Sequence, residues 1–244
     1  MSLLRSTLSL AAVAAALAAI PAAACSPVPG YRVPTNLELA TEADAIVVGE
    51  VVEGSAAGGP DSQIAVHPLA AIKGLLPGQD FPLRGTSLGT IEPSDPNELE
   101  APHPEALAGA CIRRTFARGA TVLFFLDRRD GEWVPAGGPF TRWAEDVTND
   151  DTPWVQLTRF YTRIAPLEAD QRTALLEAER DALLARADEP AAQAMAADLD
   201  RALHAPPPPL VAEAPPADDG FYQPGEVSTV QRALDAMRAD RDER

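Results

Sequence analysis

The chain changes character abruptly at Pro166, and this break divides what it can build. Before it, short β-branched and aromatic runs are punctuated by Gly and Pro. After it, residue usage turns to Ala, Leu, Glu, Arg and Asp. The first half is therefore read as strands and the second as helices. In the first half, Thr121-Val122-Leu123-Phe124-Phe125-Leu126 is the clearest strand. Asp130-Gly131 is a hairpin turn signal, and Glu132 to Ala136 returns from it. Asp44 to Val52, Gln63 to Ile72 and Phe81 to Leu88 are three further strands. Pro82 assigns the last of these to an edge. Thr35-Asn36-Leu37-Glu38 matches a capping box and predicts a short helix from Leu37 to about Ala43. Thr152-Pro153 opens another helix, in which Trp154, Leu157, Tyr161 and Ile164 share a face; Pro166 stops it.

Beyond Pro166, Leu167 to Ala187 and Ala191 to His204 read as a helical hairpin broken at Pro190. Pro206 to Pro209 and Pro215-Pro216 mark a stiff linker. Glu226 to about Asp240 is a final amphipathic helix through Val227, Val230, Leu234 and Met237, able to dock a partner or to fold back on the hairpin.

The N-terminus reads as an export signal. Arg5 is the basic residue, Leu8 to Ile20 the apolar run, and Ala22-x-Ala24 the small-residue cleavage pattern. That run is short of the about 20 apolar residues a membrane span needs. The expected organisation is a signal peptide over 1–24, a strand-rich domain over 25–165, a helical hairpin over 166–204, a Pro-rich linker over 205–225 and a terminal helix over 226–244. The expected location is periplasmic or extracellular.

With 36 acidic against 20 basic residues, the chain repels phosphate backbones, so nucleic acid is not an expected partner. Two cysteines, Cys25 and Cys111, in an exported chain read as a disulfide. Closing so long a loop stabilises by about 4–5 kcal/mol in the chain-entropy model. A lipid anchor on Cys25 is a competing reading, although Ala22 stands where such signals usually carry Leu. Two Cys and three scattered His lack the spacing of a metal site, and no cofactor is expected.

Other motifs resolve to structure. Gly85-Thr86-Ser87-Leu88-Gly89 has the nucleophile-elbow spacing, but the residues after Ser87 do not predict the helix an elbow needs. Glu145, Asp146, Asp150 and Asp151 lack the pattern of a calcium loop and are expected in a solvated loop. His67, His103 and His204 have no partners at catalytic spacing. Trp133, Trp143, Trp154, Phe124 and Phe125 are expected in the core. Gly89 to Ala110 is an aperiodic, Pro-rich stretch, and loops of that length are usually functional or disordered.

The order of segments carries a resemblance. "ACSP" (Ala24 to Pro27) is followed by the short helix and "ADAIVVGEVV" (Ala43 to Val52). "AAIKGLLPG" (Ala70 to Gly78), "CIRRTFARGATVLFFL" (Cys111 to Leu126) and "PFTRW" (Pro139 to Trp143) come next. This resembles the netrin-like OB-fold modules, among them the tissue inhibitors of metalloproteinases and their bacterial relatives. It covers the strand-rich half only. A second family cysteine would fall at Pro27, and the further disulfide partners are missing. The resemblance implies a mainly β fold, a five-stranded OB barrel with short flanking helices, ahead of the helical hairpin and tail. It also implies a protein-binding role without catalysis. In the inhibitors the α-amine and carbonyl of the first Cys, here Cys25, ligate the zinc of a partner metalloprotease. The next side chain, here Ser26, enters the pocket beside it, with Pro27 following, and a disulfide from Cys25 to Cys111 holds this segment against the loop from Glu105 through Ala110 to Cys111. The alternative is a structural or assembly protein of the envelope that engages its partner through the helical tail.

Overall fold

The structure is a computed structural model, and it describes residues 30–56, 61–74 and 78–206. The expected leader, Cys25, Ser26, Pro27, most of the linker and the terminal helix lie outside the described residues.

Helix α1, Asn36–Glu42, starts where its capping box dictates. Thr35 Oγ1 accepts from the Glu38 N–H, and the Glu38 carboxylate accepts from the Thr35 N–H. The Arg32 guanidinium clamps the same carboxylate with bonds of 2.8 and 2.6 Å. At the other end Lys73 Nζ donates to the carbonyls of Ala40 and Thr41, placing a cation where the helix dipole is negative.

Strands β1 (Ala45–Gly54), β2 (Gln63–Lys73), β3 (Phe81–Arg84), β6 (Thr121–Arg129) and β7 (Glu132–Pro135) form an antiparallel sheet in the order β3-β2-β1-β6-β7. β8 (Ala144–Asp146) adds to β6. β4 (Ser87–Leu88) and β5 (Thr115–Phe116) form a small parallel pair. The β6–β7 turn takes positive φ at both Asp130 and Gly131, which matches the twist of a tight hairpin. The sheet curls into a half-barrel. Its two edges approach until Arg84 Nε lies 3.0 Å from Glu132 Oε1, although among the described residues no ladder joins them.

Gly49 permits the close approach of β1 to β2. A β-bulge falls between Val48 and Gly49, and a Cβ there would lie 2.4 Å from Val66 Cγ1.

Eight strand segments occur among the described residues, against five expected. The expected third strand divides at Gly85, whose φ of +71° ends β3 before Ser87 begins β4. β5 and β8 hold two and three residues, too few for alternation to register in sequence. Pro82 does lie on an edge strand, since β3 ends the sheet order.

The sheet separates two apolar cores, and β6 explains why its run is continuously apolar. Val122, Phe124 and Leu126 point into the curl with Val51, Ile64, Phe116 and Trp143. Leu123 and Phe125 point outward against the helices. With both faces covered, no polar alternation is needed. The outer layer is α1 with α2 (Pro153–Ile164), α3 (Ala169–Leu184) and α4 (Pro190–His204). Trp154 of α2 stacks on Phe125, centroids 5.3 Å apart. Leu176 and Leu183 of α3 and Met195 and Leu199 of α4 enter that same core. The helical hairpin therefore covers the sheet's outer face, and all described residues belong to one compact unit.

Candidate binding turn and the polar network that holds it

The long stretch from Gly89 to Ala110 is ordered by buried charge. Glu145 of β8 is 2% exposed. It accepts from Ser94 Oγ at 2.5 Å and from the His103 N–H at 3.2 Å, and pairs with Arg142 at 3.7 Å. Its neighbour Asp146 accepts from the Ser94 N–H and pairs with Arg113 Nη1, both at 2.8 Å. Arg113 is itself buried and lies over the Phe116 ring. The expectation of a solvated acidic loop is therefore corrected for Glu145 and Asp146. They pair with two buried arginines far away in sequence or on β8's own approach. Asp150 and Asp151 remain exposed, Asp150 pairing with Arg159.

This network leads into a single π-type turn, Ala106–Ala110. Glu105 sets its entrance. Its carboxylate accepts from the N–H groups of Arg114 and Thr115 and from Thr115 Oγ1, at 3.0, 2.9 and 2.7 Å. The Ala106 N–H returns to the His103 carbonyl. Gly109, at φ +103°, turns the chain back. Leu107, 60% exposed, stands at the tip.

The expected site residues divide at the boundary of the described chain. Ala110 closes the turn, half-buried, and Cys111 follows, buried and in the left-handed region at φ +62°. The Cys111 carbonyl accepts from the Phe140 N–H at 2.6 Å, and the Pro139 carbonyl accepts from Tyr31 Oη at 2.5 Å. Tyr31 thus sits beside the loop that holds Cys111. Cys25, Ser26 and Pro27 lie outside the described residues. Ser87 sits in β4, and the next residues stay extended, the Gly89 N–H donating to the Phe116 carbonyl. No strand-to-helix elbow forms there.

Sequence reasoning missed a second buried cluster. Asp198 of α4 accepts from Tyr161 Oη at 2.7 Å, and from Asn36 Nδ2 and Arg201 Nη2 at 2.9 Å each. Asn36 also donates to the Leu99 carbonyl, so one carboxylate ties together α1, α2, α4 and the long loop. Burial pushes the Asp198 carboxyl above its ordinary range despite these donors. Burial, with the Asp198 charge beside it, pushes the Tyr161 phenol well up. The signal was present: Asp198 lies three residues after Met195 and next to Leu199, on the apolar stripe of its helix.

Among the described residues no three His, Cys, Asp or Glu side chains group to hold a metal ion. Among them no helix is long and apolar enough to cross a membrane. Set beside known proteins, the chain matches no family model and no curated protein.

Proposed function

We propose that this chain is an exported, non-catalytic protein-binding module of netrin-like OB type. Its binding edge is the N-terminal segment from Cys25 together with the turn from Glu105 to Cys111, and its partner class is a zinc metalloprotease. Cys25, at the start of the mature chain and bonded to Cys111, offers its α-amine and carbonyl to the partner's zinc. Both are competent ligands for the open position of a catalytic zinc site. Ser26 and Pro27 continue along the partner's cleft, and Ala110 braces them.

One observation carries this reading. Tyr31 is tethered to Pro139, and the next residue, Phe140, is bonded to the Cys111 carbonyl. Cys25 lies six positions before Tyr31, and a chain of that length spans up to about 20 Å. The N-terminal cysteine is therefore within reach of Cys111. The turn beside it is held before any partner arrives, which lowers the ordering cost of binding.

The test is inhibition of a panel of zinc metalloproteases by two forms of the mature protein, one beginning at Cys25 and one carrying an extra Ala before it. The proposal expects the extension to weaken inhibition at least 100-fold, because the amine is moved off the metal. Equal inhibition by both forms, or none by the form beginning at Cys25, would contradict it.

A further inference from the structure

We infer that His103 is a proton-operated latch on the turn that leads into Cys111. The functional part of this inference rests on the binding reading above. His103 is 4% exposed, and its two ring nitrogens are engaged in opposite senses. Nε2 lies 2.9 Å from the Glu92 carbonyl, which can only accept, so Nε2 carries the hydrogen. Nδ1 accepts the Glu105 N–H at 3.2 Å. An imidazolium carries hydrogen on both nitrogens and has no acceptor left. One added proton therefore sets Nδ1–H against the Glu105 N–H, donor facing donor.

The surrounding charges cannot absorb that change in place. The Glu105 carboxylate already takes three donors from Arg114 and Thr115. Glu145 takes the His103 backbone N–H and is held by Ser94 and Arg142. Asp146 is held by Arg113 and the Ser94 N–H, and the Glu92 side chain is exposed. The contact that yields is the one between His103 and Glu105. Glu105 is the residue that opens the turn Ala106–Ala110, and the His103 carbonyl receives the turn's first N–H. Protonation thus acts where the turn is fastened, and releases it as pH falls.

The experiment follows the His103 ring nitrogens and the Glu105 and Ala106 amides by nitrogen-15 NMR on the full chain, from about pH 8 to about pH 5, the span in which histidine changes charge. The latch predicts a neutral ring with hydrogen on Nε2. It also predicts that both amide signals shift in the same step as the ring gains its proton. The His103→Gln variant, which keeps an acceptor and does not titrate, should show flat Glu105 and Ala106 signals. A neutral ring with hydrogen on Nδ1 would overturn the proposal, as would a ring that titrates without moving those amides or takes up no proton in this span. If His103→Gln does not fold, the ring and amide signals of the native chain decide alone. Protease inhibition over the same pH range separates the two readings. A step in the amides without one in inhibition keeps the latch and removes the binding role.

Discussion

Glu145 and Asp150 lie five positions apart in one acidic stretch and have opposite fates. Glu145 is buried against Arg142, Ser94 and the His103 backbone; Asp150 meets Arg159 at the surface. Removing one partner of a buried pair leaves an uncompensated charge, at a cost of about 3–5 kcal/mol. An exposed pair contributes about 0–1 kcal/mol. Urea denaturation should therefore show Glu145→Ala losing several kcal/mol and Asp150→Ala almost nothing; equal losses would refute the buried network. Asp198 gives a pH signature. Its folded-state pKa is raised, so the folded chain holds this proton to higher pH than the unfolded chain does. The stability this confers is fully present below the ordinary carboxylate value and is lost as pH rises through the raised one. Tyr161, whose phenol is pushed well up by burial and the Asp198 charge, stays neutral over that range. Urea midpoints of the native chain and Asp198→Asn, compared at about pH 4 and about pH 7, should move in the variant's favour at the higher pH. A gap that is constant or moves the other way would contradict the placement of Asp198.

Elements with a strong local signal were legible. The capping box of α1, the Pro at the start of α2, the Asp-Gly hairpin and the apolar run of β6 each satisfy their neighbours within a few residues. β5 and β8 were not legible, because two or three residues carry no period and their pairing is decided by partners distant in sequence. The same holds for the Glu105 turn. Its holding groups, His103, Arg114 and Thr115, are ordinary residues until the fold brings them together. Cys111 and Ala110 could be singled out from the sequence, and Asp198 betrays itself by its place on the apolar stripe of its helix; Glu105 and Glu145 could not be told from solvated carboxylates, since a carboxylate in an acidic chain looks solvated until its burial is known. Glu105→Ala removes three hydrogen bonds from the entrance of the turn. It should make the chain cleavable by a nonspecific protease between Leu107 and Gly109 at least tenfold faster, with only a modest fall in overall stability. Unchanged cleavage there would show that Glu105 does not hold the turn.

At the scale of the whole molecule, the helical hairpin shares its core with the sheet. Phe125, Leu39 and Trp154 lie in one cluster with Leu183, Met195 and Leu199. A chain ending at Ala165 would expose that face, so it should lose cooperative unfolding and bind a hydrophobic dye. A truncated chain with an unchanged melting transition would show instead that the strand-rich half stands alone. The central claim, that Cys25 begins the mature chain and is bonded to Cys111 beside the held turn, is met most directly by the intact mass of the protein from its native host. It should be measured before and after reduction. The account predicts a mass starting at Cys25 that gains two hydrogens on reduction. A start elsewhere, a mass carrying acyl chains, or a mass that reduction leaves unchanged would contradict it.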